Sequence, residues 1–414
     1  MNRCGSDIRF RLACAAGLSL CGALIAAADG GSGLEAARDW LEGAAKRTVA
    51  GAERRMDSGL AVYNPDVGGS YRATWLRDYA YMLEADAVPH DKVGGASRLF
   101  VSAVSTNGWG VDCIKYDGSP VYMPGYGTMG RLAVADGSPF TVAVAYLSWK
   151  VTEDSAWLKP DVLGKLERTM AAAPVREGSP LAYISPDEPW ERASYGFTDS
   201  VRKKGHCLFE SLLLFEAERR LGEMLRAAGQ GARAVGHESR ARAIAAAVNA
   251  TFWDGAAGLY RAATVTCREH DVWGSAFAVW LGVADGGRAD KVSRALARHY
   301  DGLVWKGQVR HNLPGRYWEA SSCGRDSYQN GGFWGTPVGW VAWALERTAP
   351  ERVDGLYRDL VADYRANGVC EWTFGDRRAC NKGYPASVCL PLAAVRRILA
   401  VRQKFQENHN KETD

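Results

Sequence analysis

Carboxylates placed beside tryptophan and arginine are the residues of this chain whose types and spacing could do chemistry, and they gather in a few short segments. Tyr71-Arg72-Ala73-Thr74-Trp75-Leu76-Arg77-Asp78-Tyr79 sets an Arg-Asp pair between two aromatic rings. Ser185-Pro186-Asp187-Glu188-Pro189-Trp190-Glu191-Arg192 packs three carboxylates around Trp190 and leads into Tyr195-Gly196-Phe197-Thr198-Asp199. Gly315-Arg316-Tyr317-Trp318-Glu319 precedes Asp326-Ser327-Tyr328-Gln329-Asn330-Gly331-Gly332-Phe333-Trp334, where paired glycines allow close backbone approach to a ligand. Cys370-Glu371-Trp372-Thr373-Phe374 again sets a carboxylate against an indole. A fifth segment, Trp109 to Tyr126, offers no acid–base pair and reads as a cleft wall.

An indole next to a carboxyl group strips it of water and raises its pKa, as a general acid working near neutral pH requires. Cleavage of a glycoside needs two such groups, about 5–5.5 Å apart for a retaining route and about 6.5–9.5 Å apart for an inverting one. Sequence cannot measure the gap, but it offers candidates on separate loops. Plainer readings stand beside these. Arg77-Asp78 suits the first turn of a helix, where the dipole favours an acid. The 185–192 segment suits a solvated acidic loop, with Asp199 capping the next helix.

The rest of the chain must hold these segments in place. Its 414 residues are 47% hydrophobic and 24% charged, which excludes disordered, collagenous and coiled-coil classes. A net charge of +4 does not advertise nucleic acid as a partner. Fifteen Trp, 17 Tyr and 11 Phe, many beside polar residues, suit a cleft for sugars, whose rings stack by their C–H faces and hydrogen-bond by their edges. Helical periodicity covers Leu34–Ala50, Leu76–Val88, Val93–Ser105, Phe140–Val151, Trp157–Ala172, Ser200–Ala228, Ala232–Phe252, Trp273–Val283, Lys291–Tyr300, Trp334–Leu345, Arg352–Ala366 and Ala386–Arg402. Twelve helices joined alternately by short and long loops predict an all-α, (α/α)6 toroid of six hairpins. The more apolar helices, such as Phe140–Val151 and Trp334–Leu345, belong on its inner ring. A helical solenoid would show self-similar repeats, and none is found.

Basic residues up to Arg11, an apolar run Leu12 to Ala28 and the Ala26-Ala27-Ala28 end have the parts of a secretory signal. Residues 1–28 are therefore expected to be removed, leaving one catalytic domain over 29–414, secreted or periplasmic and without a membrane span. Among the seven cysteines beyond the leader some are expected to pair, Cys370 with Cys380 first, since they share a short loop. No Cys or His spacing suits a metal, so neither metal nor cofactor is expected.

On these segments the chain resembles the six-hairpin glycosidases, and distantly the glucoamylase group (glycoside hydrolase family 15). Thr74-Trp75-Leu76-Arg77-Asp78 is similar to that family's Thr-Trp-Thr-Arg-Asp, which implies sugar binding by Arg77 and Asp78. Trp190-Glu191 is similar to its Trp-Glu-Glu segment and implies a general acid at Glu191, although Arg192 replaces the second Glu. Glu371-Trp372-Thr373-Phe374-Gly375-Asp376-Arg377 is similar to its Ala-Glu-Gln-Phe-Asp-Arg stretch and implies a catalytic base at Glu371. The resemblance therefore implies an exo-acting, inverting glycoside hydrolase for a neutral carbohydrate. Trp75, Trp190, Glu319, Gln329, Asn330, Trp334 and Trp372 complete the expected substrate contacts, with Glu319 and Glu188 as substitute base and acid. The rival readings are a polysaccharide lyase, an unsaturated uronyl hydrolase or a sugar epimerase on the same toroid, and a non-catalytic glycan-binding protein.

Overall fold

The computed structural model describes residues 33–128, 130–187, 195–378 and 383–413, with side chains to residue 408. Among these, twelve helices are eight residues or longer: α1 Gly33–Ala52, α2 Leu76–Glu84, α3 His90–Ser102, α4 Gly137–Thr152, α5 Pro160–Ala171, α6 Leu208–Ala227, α7 Gly231–Thr251, α8 Val272–Trp280, α9 Gly286–Arg298, α10 Val338–Leu345, α11 Pro350–Asn367 and α12 Ala386–Thr413. Their burial sorts them into two kinds. α1 and α9 bury one stripe, Leu34, Ala37, Leu41, Ala45 and Val49 in the first and Ala289, Val292 and Leu296 in the second, as a helix with one face in water must. α4, α8 and α10 are buried on nearly every side.

The packing closes those differences into two rings. α2 contacts α4, α4 contacts α6, and the chain of neighbours continues through α8, α10 and α12 back to α2. α1, α3, α5, α7, α9 and α11 pack outside them. The protein is an (α/α)6 toroid, and both helices expected on its inner ring, α4 and α10, lie there.

Each inner helix follows its outer partner across a long connection and is followed by a short one. The long connections span 53–75, 103–136, 172–207, 252–271, 299–337 and 368–385, so all six gather over the N-terminal ends of the inner helices. Small antiparallel sheets tie them together. Ala73–Trp75 pairs with Cys113–Lys115, and that with Pro120–Val121, joining the first two loops. A five-stranded sheet runs Val304–Trp305, Gln308–Arg310, Phe333–Trp334, Trp372–Phe374, Arg377–Arg378 and joins the fifth and sixth, with Trp334 opposite Trp372.

Two helix starts differ from the periodic reading. The stretch expected to be helical from Ser200 begins only at Leu208, because Gly205 takes a left-handed φ of 84° and Gly205–His206 pairs with Tyr183–Ile184. Asp199 therefore cannot cap it. The stretch expected from Trp334 begins at Val338, because Phe333 and Trp334 are drawn into the five-stranded sheet. Cys370 is a buried free thiol facing Gln308 Oε1, while Cys380 lies outside the described residues.

Candidate active site

The first inner helix brings the Arg-Asp pair to the mouth of the toroid. Strand residue Trp75 is held opposite Cys113, so the following turn of α2 stands against Asp112. Arg77 Nε donates to Asp136 Oδ2 at 2.8 Å and Arg77 Nη2 to Asp112 Oδ1 at 2.7 Å. All three side chains are buried. Burial opposes the charge of Arg77, but the two carboxylates outweigh it and raise its pKa. Gly196 is where the third loop crosses this group: its N–H donates to Asp136 Oδ2 at 2.9 Å, and a Cβ there would overlap the Arg77 guanidinium. Arg77 thus clasps the first, second and third loops.

Next to this clasp is a hollow bordered by Tyr71, Trp75, Arg77, Asp78, Phe197, Asp199, Tyr328, Glu371 and Tyr384. Three carboxyl groups open into it. Glu371, 3% exposed, accepts hydrogen bonds from Tyr71 Oη at 3.0 Å and Tyr328 Oη at 3.3 Å. Asp78 accepts from Tyr384 Oη at 2.8 Å. Burial pushes its pKa up to about 7, against the pull of Arg77 and Tyr384. Asp199 accepts from the Gln329 amide, Nε2 to Oδ1, at 2.8 Å. Burial raises it to about 6, while Gln329 and Arg77 oppose the rise. A second hollow, the outer one in the sense that the exposed Tyr126 stands at its edge, adjoins the first, and Tyr71, Trp75, Arg77, Gly196 and Asp199 border both.

Topology puts Asp199 and Glu371 on opposite sides. Asp199 lies on the loop before α6, the third inner helix, and Glu371 on the loop before α12, the sixth. In a ring of six those positions face each other across the axis. One group with a raised pKa and one carboxylate fixed by two phenols then flank a single space, which is the arrangement acid–base catalysis needs.

Apart from Glu319, the expected residues fall into three sets. Trp75, Arg77, Asp78 and Glu371 share the inner hollow. Gln329, Asn330, Trp334 and Trp372 do not border it and act on residues that do, or on the loop that carries them. Gln329 holds Asp199 and accepts from Ser200. Asn330 accepts from the Trp318 amide and donates to Cys323 O, closing its own loop. Trp334 Nε1 donates to Tyr328 O at 3.1 Å, and the rings of Trp334 and Trp372 flank Tyr328. Gly331 and Gly332 serve the same turn, since a Cβ on Gly332 would strike Tyr328 O, so their close approach is to the chain itself. Glu319 is exposed and stands away from the hollow, where its Oε2 accepts from the Cys267 amide at 3.0 Å. The third set, Glu188, Trp190 and Glu191, lies outside the described residues.

Asp199, Tyr71, Tyr328 and Tyr384 were not singled out from the sequence as site residues. Asp199 carried a partial signal: it follows Gly196-Phe197-Thr198 at the end of the carboxylate-rich loop, but the helix expected from Ser200 made it read as a cap. The tyrosines carried none, because their role depends on which loops meet.

No protein-family model matches the chain, and no curated protein matches it. Solved structures do. The rhamnosidase from Klebsiella oxytoca with rhamnose bound superposes with a TM-score of 0.60 at 16% identity over 87% of this chain, which spans 64% of that one. The GH63 mannosylglycerate hydrolase from Thermus thermophilus, in complex with glucose, superposes with a TM-score of 0.62 at 16% identity, covering 85% of this chain and 99% of that one. Its complex with Tris and D-glycerate gives 0.63 at 15% identity over the same shares. At these identities the likeness establishes the architecture, a six-hairpin toroid shared with glycoside hydrolases.

Proposed function

We propose that the protein is a glycoside hydrolase that removes a sugar from the non-reducing end of its substrate, with inversion at the anomeric carbon. The observation that carries this reading is the convergence of Asp199 and Glu371 from opposite loops on one aromatic-walled hollow. Asp199 is the general acid. It borders both the inner and the outer hollow, so its proton can reach an oxygen that bridges them. Its raised pKa keeps a proton available in mildly acidic solution. Glu371 is the base: its two phenol donors stabilise the ionised form that accepts a proton from water. Asp78, bordering only the inner hollow, holds hydroxyl groups of the non-reducing sugar that carries the anomeric carbon, as its resemblance to the glucoamylase Arg-Asp pair also implies. Arg77 is committed through Nε and Nη2 to Asp136 and Asp112 and serves by fixing the loops.

Exo action agrees with a hollow backed by Phe197 and Tyr384, both buried, which suits a chain end. The hydrolases of like architecture, named for rhamnose and mannosylglycerate, support a glycoside as the substrate class. The basic, apolar and small-residue parts of residues 1–28 support secretion or export to the periplasm, leaving the domain from 29 onward. Glu191, on the same loop as Asp199, is the alternative acid.

A matched set of variants decides. Glu371→Gln and Asp199→Asn should each lower kcat/KM on a cleaved glycoside by about 10²–10⁴-fold, while Glu191→Gln should leave most of the activity. Loss in Glu191→Gln with activity retained in Asp199→Asn would reverse the assignment of the acid. Wild-type turnover in both Glu371→Gln and Asp199→Asn would end the reading. NMR of the first-formed anomer reads the stereochemistry directly.

A further inference from the structure

The outer hollow has a wall of its own. At about 120 Å³ it is the roomier of the two, against about 50 Å³ for the inner. Trp75 and Tyr126 meet at its side with ring centroids 4.9 Å apart and planes at 81°, an aromatic corner. Tyr126 reaches that position by an unusual backbone: Gly125 at φ 61° and Tyr126 at φ 58° are both left-handed, a conformation a tyrosine rarely adopts and one that gathers at ligand clamps. Its hydroxyl accepts from the Arg72 amide at 2.8 Å, which pins the ring, and the residue is still 37% exposed. A large ring held in a strained conformation with more than a third of its surface uncovered is not needed by the core.

We infer that this corner is the subsite for the leaving group, and that the leaving group is a neutral pyranose, so the substrate is a disaccharide or the end of an oligosaccharide. The inference rests on the hydrolase reading above. An aromatic corner offers flat apolar area to the C–H faces of a sugar ring. Beside it the one cation among the described residues that line the hollow, Arg77, is already shared by two carboxylates, Asp112 and Asp136, and the protonated Asp199 adds no positive charge, so the site disfavours an anionic leaving group such as a glycerate. Asp199, at the junction, protonates the oxygen as the bond to the anomeric carbon breaks, and water deprotonated by Glu371 supplies the new C–O bond.

The test compares three substrates with one glycone: the disaccharide to glucose, the methyl glycoside and the glyceric acid glycoside. In the wild-type enzyme the disaccharide should have the highest kcat/KM. Tyr126→Gly, which keeps the left-handed backbone without strain, should lower the disaccharide-to-methyl ratio of kcat/KM by about ten-fold, the worth of one good ring contact. Tyr126→Phe, which retains the ring, should preserve the ratio. An unchanged ratio in Tyr126→Gly, or a preference for the acidic leaving group, overturns the inference and leaves the hydrolase reading standing. If no glycoside is cleaved at all, that reading fails by itself. The corner is then read by calorimetry with the same disaccharide, where binding lost in Tyr126→Gly supports it and binding equal to wild type, or none, refutes it.

Discussion

If Asp199 is the acid, its side-chain amide partner sets the alkaline limit of activity. Gln329 donates to the ionised Asp199 carboxylate at 2.8 Å and so holds its pKa down against burial. A hydrogen bond to a charged group is worth about 1.5–3 kcal/mol, and one pKa unit corresponds to about 1.4 kcal/mol. Gln329→Leu should therefore raise the Asp199 pKa by about one to two units. The sign is fixed by chemistry: an acid is active while protonated, so kcat/KM falls as pH rises through its pKa. The wild-type alkaline limb should lie near the value of about 6 for Asp199, and the variant's limb should move upward from there. Gln329→Glu keeps the acceptor for Ser200 and replaces the donor by a like charge, so it should shift the limb in the same direction in a protein that folds. Asp78, raised to about 7, is the other group on that side. Asp78→Asn should therefore leave the limb near the Asp199 value. The assay is kcat/KM against pH on the best glycoside. A limb that stays in place or moves to lower pH in both Gln329 variants refutes the assignment of Asp199.

Two further outcomes follow from the same geometry. Tyr328→Phe removes one of the phenol donors that favour ionised Glu371, so the acid limb of kcat/KM should move up by as much as about one pH unit, and an unmoved acid limb would count against Glu371 as base. Arg77→Met leaves Asp112 and Asp136 buried without their cation, which should cost about 3–5 kcal/mol of stability near neutral pH, read as a lower urea midpoint. A midpoint equal to wild type would show that the clasp does not hold the loops.

The toroid was legible before any coordinates, because a helix advertises its buried face locally. Leu34, Ala37, Leu41 and Ala45 recur at helical spacing, and α4, α8 and α10 are apolar enough to mark three of the six inner helices, while α2, α6 and α12 are mixed in composition and take their inner places through packing. The alternation of short and long loops likewise pointed to one end of the ring, and four of the expected residues, Trp75, Arg77, Asp78 and Glu371, do meet at a hollow there. Helix ends were less legible: Gly205 and the pairing of Trp334 with Trp372 shorten two of them, and both effects depend on partners in other loops.

What only the tertiary structure decided is which polar residues meet and what surrounds each of them. Whether a carboxyl group is an acid, a base or half of an ion pair depends on the water it loses and the charges it gains, and both are set by chain segments far away in sequence. Asp199 owes its raised pKa to burial in a hollow where distant loops meet, and Glu371 owes its phenol donors to Tyr71, 300 residues earlier, and to Tyr328. Arg77, expected beside Trp75 to meet a sugar, also clasps the loops, because Asp112 and Asp136 arrive from the second loop. Local pattern determines which faces must be buried, and it is the closure of the ring that determines which charges come to share a space.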